Sequence, residues 1–267
     1  MQDDPQTASP VAAARNIKLV VAYNGAAYHG WQRQAPGVDT VQERIEMALA
    51  RVLGHPITLH GAGRTDAGVH ALGQTANFRT PVTSVPLEGL RLAVNSRLPH
   101  DIAIVSADEA GGGFHASRSA IGKTYLYRIH RGPTKPVHLW RQVYHFWRPL
   151  DVELMRAAAV RVIGRHDFRG FATSAEERED TVRTVFRCEV EETPPEIHVR
   201  VQGDGFLYNM VRNIVGTLIE IARGRWDPQR IDLVLATADR RNAGPTAPPD
   251  GLYLECVHYD WPPPIKA

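Results

Sequence analysis

An α+β fold of two ferredoxin-like halves, each a β-α-β-β-α-β unit whose antiparallel sheet adjoins the other's, is what this sequence predicts. Three observations carry that prediction. Short alternating apolar runs give way to helical periodicity in the same order twice. Gly111-Gly112-Gly113 separates the two repeats, where a long acid-free segment begins. The 267 residues are enough for two small domains. The expected division is a disordered tail at 1–15, one half at 16–112, a second at 113–262 and a tail at 263–267.

Asn16-Ile-Lys-Leu-Val-Val-Ala-Tyr23 reads as the first strand, ended by the turn pair Asn24-Gly25. Val41, Ile45, Ala48 and Val52 then fall on one helical face, with Thr40 placed to cap it and Gly54 to stop it. A short strand over Ile57–His60, a glycine loop and a strand from Ala71 to Phe78 follow. Leu87, Leu90, Val94 and Leu98 mark a second helix closed by Pro99, before a strand from Asp101 to Ala107.

The second half repeats this order with longer parts. A strand over Lys123–Ile129 precedes a helix with Val152, Met155, Ala159 and Val162 on one face and Asp151 as its N-cap. Two strands, Thr181–Glu191 and Ile197–Gln202, turn at Pro194-Pro195. The next helix carries an apolar stripe at Leu207, Val211, Ile214, Leu218 and Ile221 and a polar stripe at Asn209, Asn213, Gly216 and Glu220, with Arg212 toward the polar side. A short helix from Pro228 and the strand Leu252–Val257 complete the repeat.

Composition narrows the function. No apolar run reaches the length of a membrane span, and the N-terminus opens with two acids where a signal peptide would be basic, so a cytoplasmic protein is expected. Two cysteines, Cys188 and Cys256, cannot build a disulfide framework or a Cys-rich zinc site, and the twelve histidines show no H-E-x-x-H spacing. The net charge of +2 hides an asymmetry. From Gly111 to Leu150 there are seven Lys or Arg residues and no Asp or Glu, interleaved with seven aromatic residues. Such a segment attracts phosphates and offers faces to unpaired bases, so nucleic acid is the expected partner and the segment is expected to line a groove between the halves.

The chemistry centres on Gly61-Ala-Gly-Arg-Thr-Asp-Ala-Gly-Val-His70. Three glycines mark a shaped loop, and it presents Arg64, Thr65 and Asp66. A paired-carboxylate site, a G-x-S-x-G elbow, a P-loop and a complete dinucleotide fingerprint are all missing. What remains is one aspartate acting as a nucleophile or general base, kept ionised by cations.

Gly63-Arg-Thr-Asp-Ala-Gly-Val-His-Ala71, preceded by Tyr23-Asn-Gly-x-x-Tyr-His-Gly-Trp-Gln-x-Gln34, resembles the signature of the tRNA pseudouridine synthase A family. Asn95–Ile102, Phe114–Ala116, Lys123–Tyr127, His166–Phe168, Phe206–Gly216 and Gly244–Leu254 agree with it, so the resemblance runs from Ile17 to Tyr259. It implies two ferredoxin-like halves around a basic cleft. The implied activity is isomerisation of uridine to pseudouridine at positions 38, 39 and 40 of the tRNA anticodon arm, by a homodimer without cofactor or metal. By match to the family, Asp66 is the catalytic aspartate and Tyr125 the tyrosine that packs on the target base. Arg212 matches the basic partner of the aspartate, and Arg64 the loop arginine where the base leaves the helix. Two other functions fit the same residues less fully: a noncatalytic RNA-binding protein of this fold, which would not need Asp66, and a related synthase with other RNA targets.

Overall fold

The computed structural model describes residues 14–173 and 180–260, so most of the two expected tails lies outside the described residues. The first half runs β1 (Arg15–Tyr23), α1 (Val41–Leu53), β2 (His60–Gly61), β3 (His70–Thr80), α2 (Leu87–Asn95) and β4 (Ile102–Ala110). The second runs β5 (Gly122–His130), β6 (Tyr144–His145), α3 (Val152–Ala159), β7 (Gly164–Asp167), β8 (Val182–Thr193), β9 (Glu196–Gly203), α4 (Met210–Ala222), α5 (Arg230–Thr237) and β10 (Leu252–His258). Local signals set several of these limits. The Thr40 hydroxyl accepts from the Glu43 N–H, Gly54 closes α1 at φ 78°, and the Asp151 carboxylate accepts from the N–H groups of Glu153 and Leu154. Among the described residues, no helix is long and apolar enough to cross a membrane.

The strands join into one sheet with the order β4-β1-β3-β10-β5-β9-β8-β7. In the first half β4, β1 and β3 are neighbours and β2 pairs with β3; in the second, β10, β5, β9 and β8 stand in the same sequence. Each half therefore has the ferredoxin-like strand order. The seam between them is parallel and short, Tyr253 opposite His70 and Leu254 opposite Ala71. All other main pairings on the path are antiparallel. A single hydrophobic cluster, with Ile45 and Phe78 from one half and Met155 and Ile214 from the other, runs beneath both.

One local expectation is corrected. The strand expected over Ile57–His60 pairs only at His60 and Gly61. Ile57 and Leu59 are buried, but α1 satisfies the Leu59 backbone: its N–H donates to Glu46 Oε1 at 2.9 Å, and its carbonyl accepts from Gln42 Nε2 at 2.9 Å. The polar stripe of α4 lies largely inside the protein. Asn213, Gly216 and Glu220 are all buried. Asn213 donates to the Phe171 carbonyl at 2.7 Å and accepts from Thr246 Oγ1 at 2.7 Å and Arg240 Nη2 at 3.0 Å, so its amide is matched on both sides.

Gly216 lets α4 approach the 244–247 segment so closely that a Cβ there would lie 1.7 Å from the Pro245 carbonyl oxygen. Ala is favoured over Gly in a helix by about 1 kcal/mol. A clash with backbone outweighs this, because neither element can move a flexible side chain aside. Gly216→Ala is expected to destabilise the fold by about 1–3 kcal/mol in urea unfolding; an unchanged or raised midpoint would refute the close approach.

Candidate active site

The Asp66 loop is held from behind by buried polar struts. Tyr23 Oη lies 2.8 Å from Thr65 Oγ1, and Gln74 Nε2 donates to the Gly63 carbonyl at 2.8 Å. The Trp31 backbone N–H donates to the Thr65 carbonyl at 3.0 Å, and its buried ring leans on Tyr23 at 5.8 Å. Gly30 sits at φ +93°, where a Cβ would come within 2.6 Å of the Thr65 carbonyl oxygen. The run preceding the loop is thus its packing platform. Trp31, which carried no role in the sequence, supports the loop and also lines the cavity it faces.

That cavity has a volume of about 750 Å³. Residues 61–66 form one wall and residues 205–212 another, with Lys123 and Tyr125 from β5 between them. All four residues expected at the site, Arg64, Asp66, Tyr125 and Arg212, line it together. Asp66 is the one carboxylate among the described residues that do so, against Arg64, Lys123, Arg183 and Arg212.

Asp66 Oδ2 stands 3.9 Å from Arg212 Nη1. The arginine is firmly aimed: its Nε donates to the Ala247 carbonyl at 2.7 Å, and Nη1 donates to Asn209 Oδ1 at 2.8 Å. Asn209 adopts φ 60° at the start of α4, a conformation that asparagine tolerates, and its Nδ2 donates to Thr173 Oγ1 at 3.1 Å. Burial pushes the Asp66 carboxyl above its usual range, and the Arg212 charge pulls it back only in part. Tyr125 is buried with its ring edge-on to Phe206 at 5.1 Å. Burial, then the neighbouring Tyr23 and Asp66, hold its phenol protonated far above neutral pH.

The acid-free segment contributes less to the cleft than its composition predicts. Of its seven cations only Lys123 lines this cavity, with its ammonium set against Gly63. Arg128 pairs with Glu196 at 2.7 Å, Arg131 with Glu192 and Arg141 with Asp250 at 3.5 Å, all acids from the later part of the chain. Tyr127 and Phe146 belong to the core or pack against it. Lys123, Asn209, Ala247 and Arg183 are the members that sequence reasoning passed over. The first three lie inside recognised motifs, whereas Arg183, held near Asp180 at 3.7 Å, had no such signal.

His70, at the end of the loop motif, ties the halves together. The Gly25 N–H donates to its Nδ1 at 3.1 Å, which places the proton on Nε2, and Nε2 donates to the Asp250 carbonyl at 3.1 Å. Its ring stacks on Tyr253 at 4.6 Å, and burial lowers its pKa so that it stays neutral. Among the described residues, no three His, Cys, Asp or Glu side chains gather as a metal-ligand set.

Comparison with known proteins agrees over most of the chain. A family profile described as tRNA pseudouridine synthase matches residues 19–117 and 158–260. The chain is 41% identical over 245 residues to tRNA pseudouridine synthase A 2 of Clostridium perfringens, covering 92% of this chain and 100% of that one. It is 42% identical over 248 residues to tRNA pseudouridine synthase A of Acinetobacter baumannii, covering 91% and 93%. A Thermoanaerobacter tRNA pseudouridine synthase A is 44% identical over 249 residues, covering 92% and 100%.

The raised Asp66 pKa has a consequence for stability. Between the unfolded and folded pKa values the folded state holds the proton more tightly, so stability falls as pH rises through that window. At neutral pH the ionised carboxylate is a net cost to folding. Asp66→Asn is therefore expected to melt at a higher temperature than the parent at pH 7. The gap should close as pH falls below the ordinary carboxylate range; a lower melting temperature at pH 7 would contradict the burial effect.

Proposed function

This chain belongs to the tRNA pseudouridine synthase family, and we propose that it isomerises uridine to pseudouridine at positions 38, 39 and 40 of the tRNA anticodon arm, with Asp66 as nucleophile. It is an isomerase acting on tRNA. The observation that carries the finer reading is a carboxylate, 3.9 Å from a guanidinium, in a cleft whose other charged side chains among the described residues are all cations. We assign residues 16–112 to the half bearing the Asp66 loop and 113–262 to the half bearing Tyr125 and Arg212. The resemblance adds a cytoplasmic homodimer, which sedimentation equilibrium would count.

The reaction breaks the bond between N1 and the ribose C1′, turns the uracil and joins C5 to C1′; the C5 hydrogen leaves as a proton and N1 gains one. A stacked uridine is out of reach, and flipping it costs a few kcal/mol. Stacking on an aromatic ring returns about 1 to 3 kcal/mol per base, and we assign that role to Tyr125, which lines the cleft and packs edge-on to Phe206. Arg64, exposed at the cleft wall, is assigned to the position that the base vacates. Attack on the base, attack on the sugar and proton removal to a glycal all need an ionised carboxylate. The anchored Arg212 charge works toward that state against the desolvation of the site.

Tritium release from tRNA labelled at uridine C5 tests this directly, since forming the C5–C1′ bond ejects that hydrogen. Asp66→Asn is expected to abolish release while tRNA binding stays within about threefold, because the base-stacking ring and the cleft cations remain. Near-normal turnover would remove Asp66 from the chemistry. Bound tRNA with no release from the parent protein would make this a noncatalytic binder. Arg212→Met should slow release and move the acid limb of the rate profile to higher pH, because the charge favouring the carboxylate is gone. An unmoved limb would sever Arg212 from Asp66.

A further inference from the structure

A second cavity, of about 720 Å³, is lined in part by chain neighbours of residues that line the cleft. Gly61 and Ser117 line the cleft, while their chain neighbours His60 and Arg118 line the second cavity. Its other polar members include His55, Arg79 and His115, and among the described residues that line it there is no carboxylate. Among the described residues that line these two cavities, Asp66 is the one acid.

The groove is shaped to donate hydrogen bonds. Arg79 is oriented by a hydrogen bond from Nη2 to the Gly112 carbonyl. His115 Nδ1 accepts from the Ser117 and Arg118 N–H groups at 3.2 and 3.4 Å, so its proton is on Nε2 and that nitrogen is a donor. The His60 ring is 5.1 Å away. The one aromatic carbocycle, Phe114, is spent on packing: Lys18 Nζ stands 5.7 Å from its centroid and Tyr259 is tilted against it at 5.0 Å. Donors and cations, with the one aromatic carbocycle already engaged, suit phosphate oxygens.

We propose that this groove is a second RNA-binding site, taking the phosphodiester backbone of the tRNA strand that leaves the cleft past Gly61 and Ser117. The proposal rests on the tRNA-modifying reading and extends it to a stretch of RNA that does not react. The contact is sequence-independent, so it adds affinity for any tRNA and leaves the choice of uridine to the cleft.

The test is filter binding of an unmodified tRNA transcript over a series of salt concentrations. Arg118→Ala is expected to weaken binding and flatten the slope of log Kd against log salt by about one. Arg118→Glu should weaken it by about tenfold or more at low salt. Arg51→Glu, on the exposed last turn of α1 and outside both cavities, is the control for net charge. In parallel, a benzophenone amino acid replacing the exposed Thr58 at the groove should cross-link to the transcript. The proposal is overturned if the Arg118 variants match the control, or if the Thr58 probe captures no RNA from a protein that still binds it. Failure of the parent protein to release tritium would instead overturn the activity, so the two readings fail separately.

Discussion

The cleft depends on a seam of two residue pairs, His70 with Tyr253 and Ala71 with Leu254. It takes the edge of β3 that a full-length second strand would otherwise occupy, and it brings β5 to within one strand of the Asp66 loop. From there the register decides who meets whom. Tyr125 lies opposite Leu254 on β10 and Val201 on β9, and α4 follows β9 back over the same side to present Arg212. His70 reinforces the seam with one ring that stacks across it and hydrogen-bonds on both sides.

The second constraint is electrostatic. Asp66 is partly sheltered from water, and shelter favours its neutral form. Here the opposing charge is supplied by a side chain that is itself immobilised. Arg212 is fastened at Nε and Nη1 before it faces Asp66, so little of the attraction is lost to ordering a flexible cation. The Ala247 carbonyl that fastens it is placed by the approach of α4 to residues 244–247, and the buried Asn213 with the half-buried Thr246 pins the same contact. Core packing of α4 and the charge state of Asp66 are therefore one problem.

The acid-free segment shows why composition misjudges electrostatics. Arg128, Arg131 and Arg141 have no acid nearby in sequence, yet they meet Glu196, Glu192 and Asp250 once the chain folds. The two cavities instead draw cations from scattered positions: Arg64, Arg79, Arg118, Lys123, Arg183 and Arg212. Field lines follow low-dielectric walls rather than chain order.

Element order, helix caps and the shaped loop were legible in the sequence because each depends on residues within a few positions of one another: Thr40 and Gly54 around α1, Asp151 before α3, the glycines around Asp66. The repeat of one strand-helix pattern was enough for the fold class, and the motifs singled out Asp66, Tyr125, Arg64 and Arg212, which the fold brings to one cavity. The tertiary structure alone decided the seam, the shortening of β2, the burial of the α4 polar stripe and the anchors of Arg212. Those rest on contacts between residues far apart in the chain, such as His70 with Asp250, and no periodicity records which distant carbonyl or carboxylate a side chain will meet.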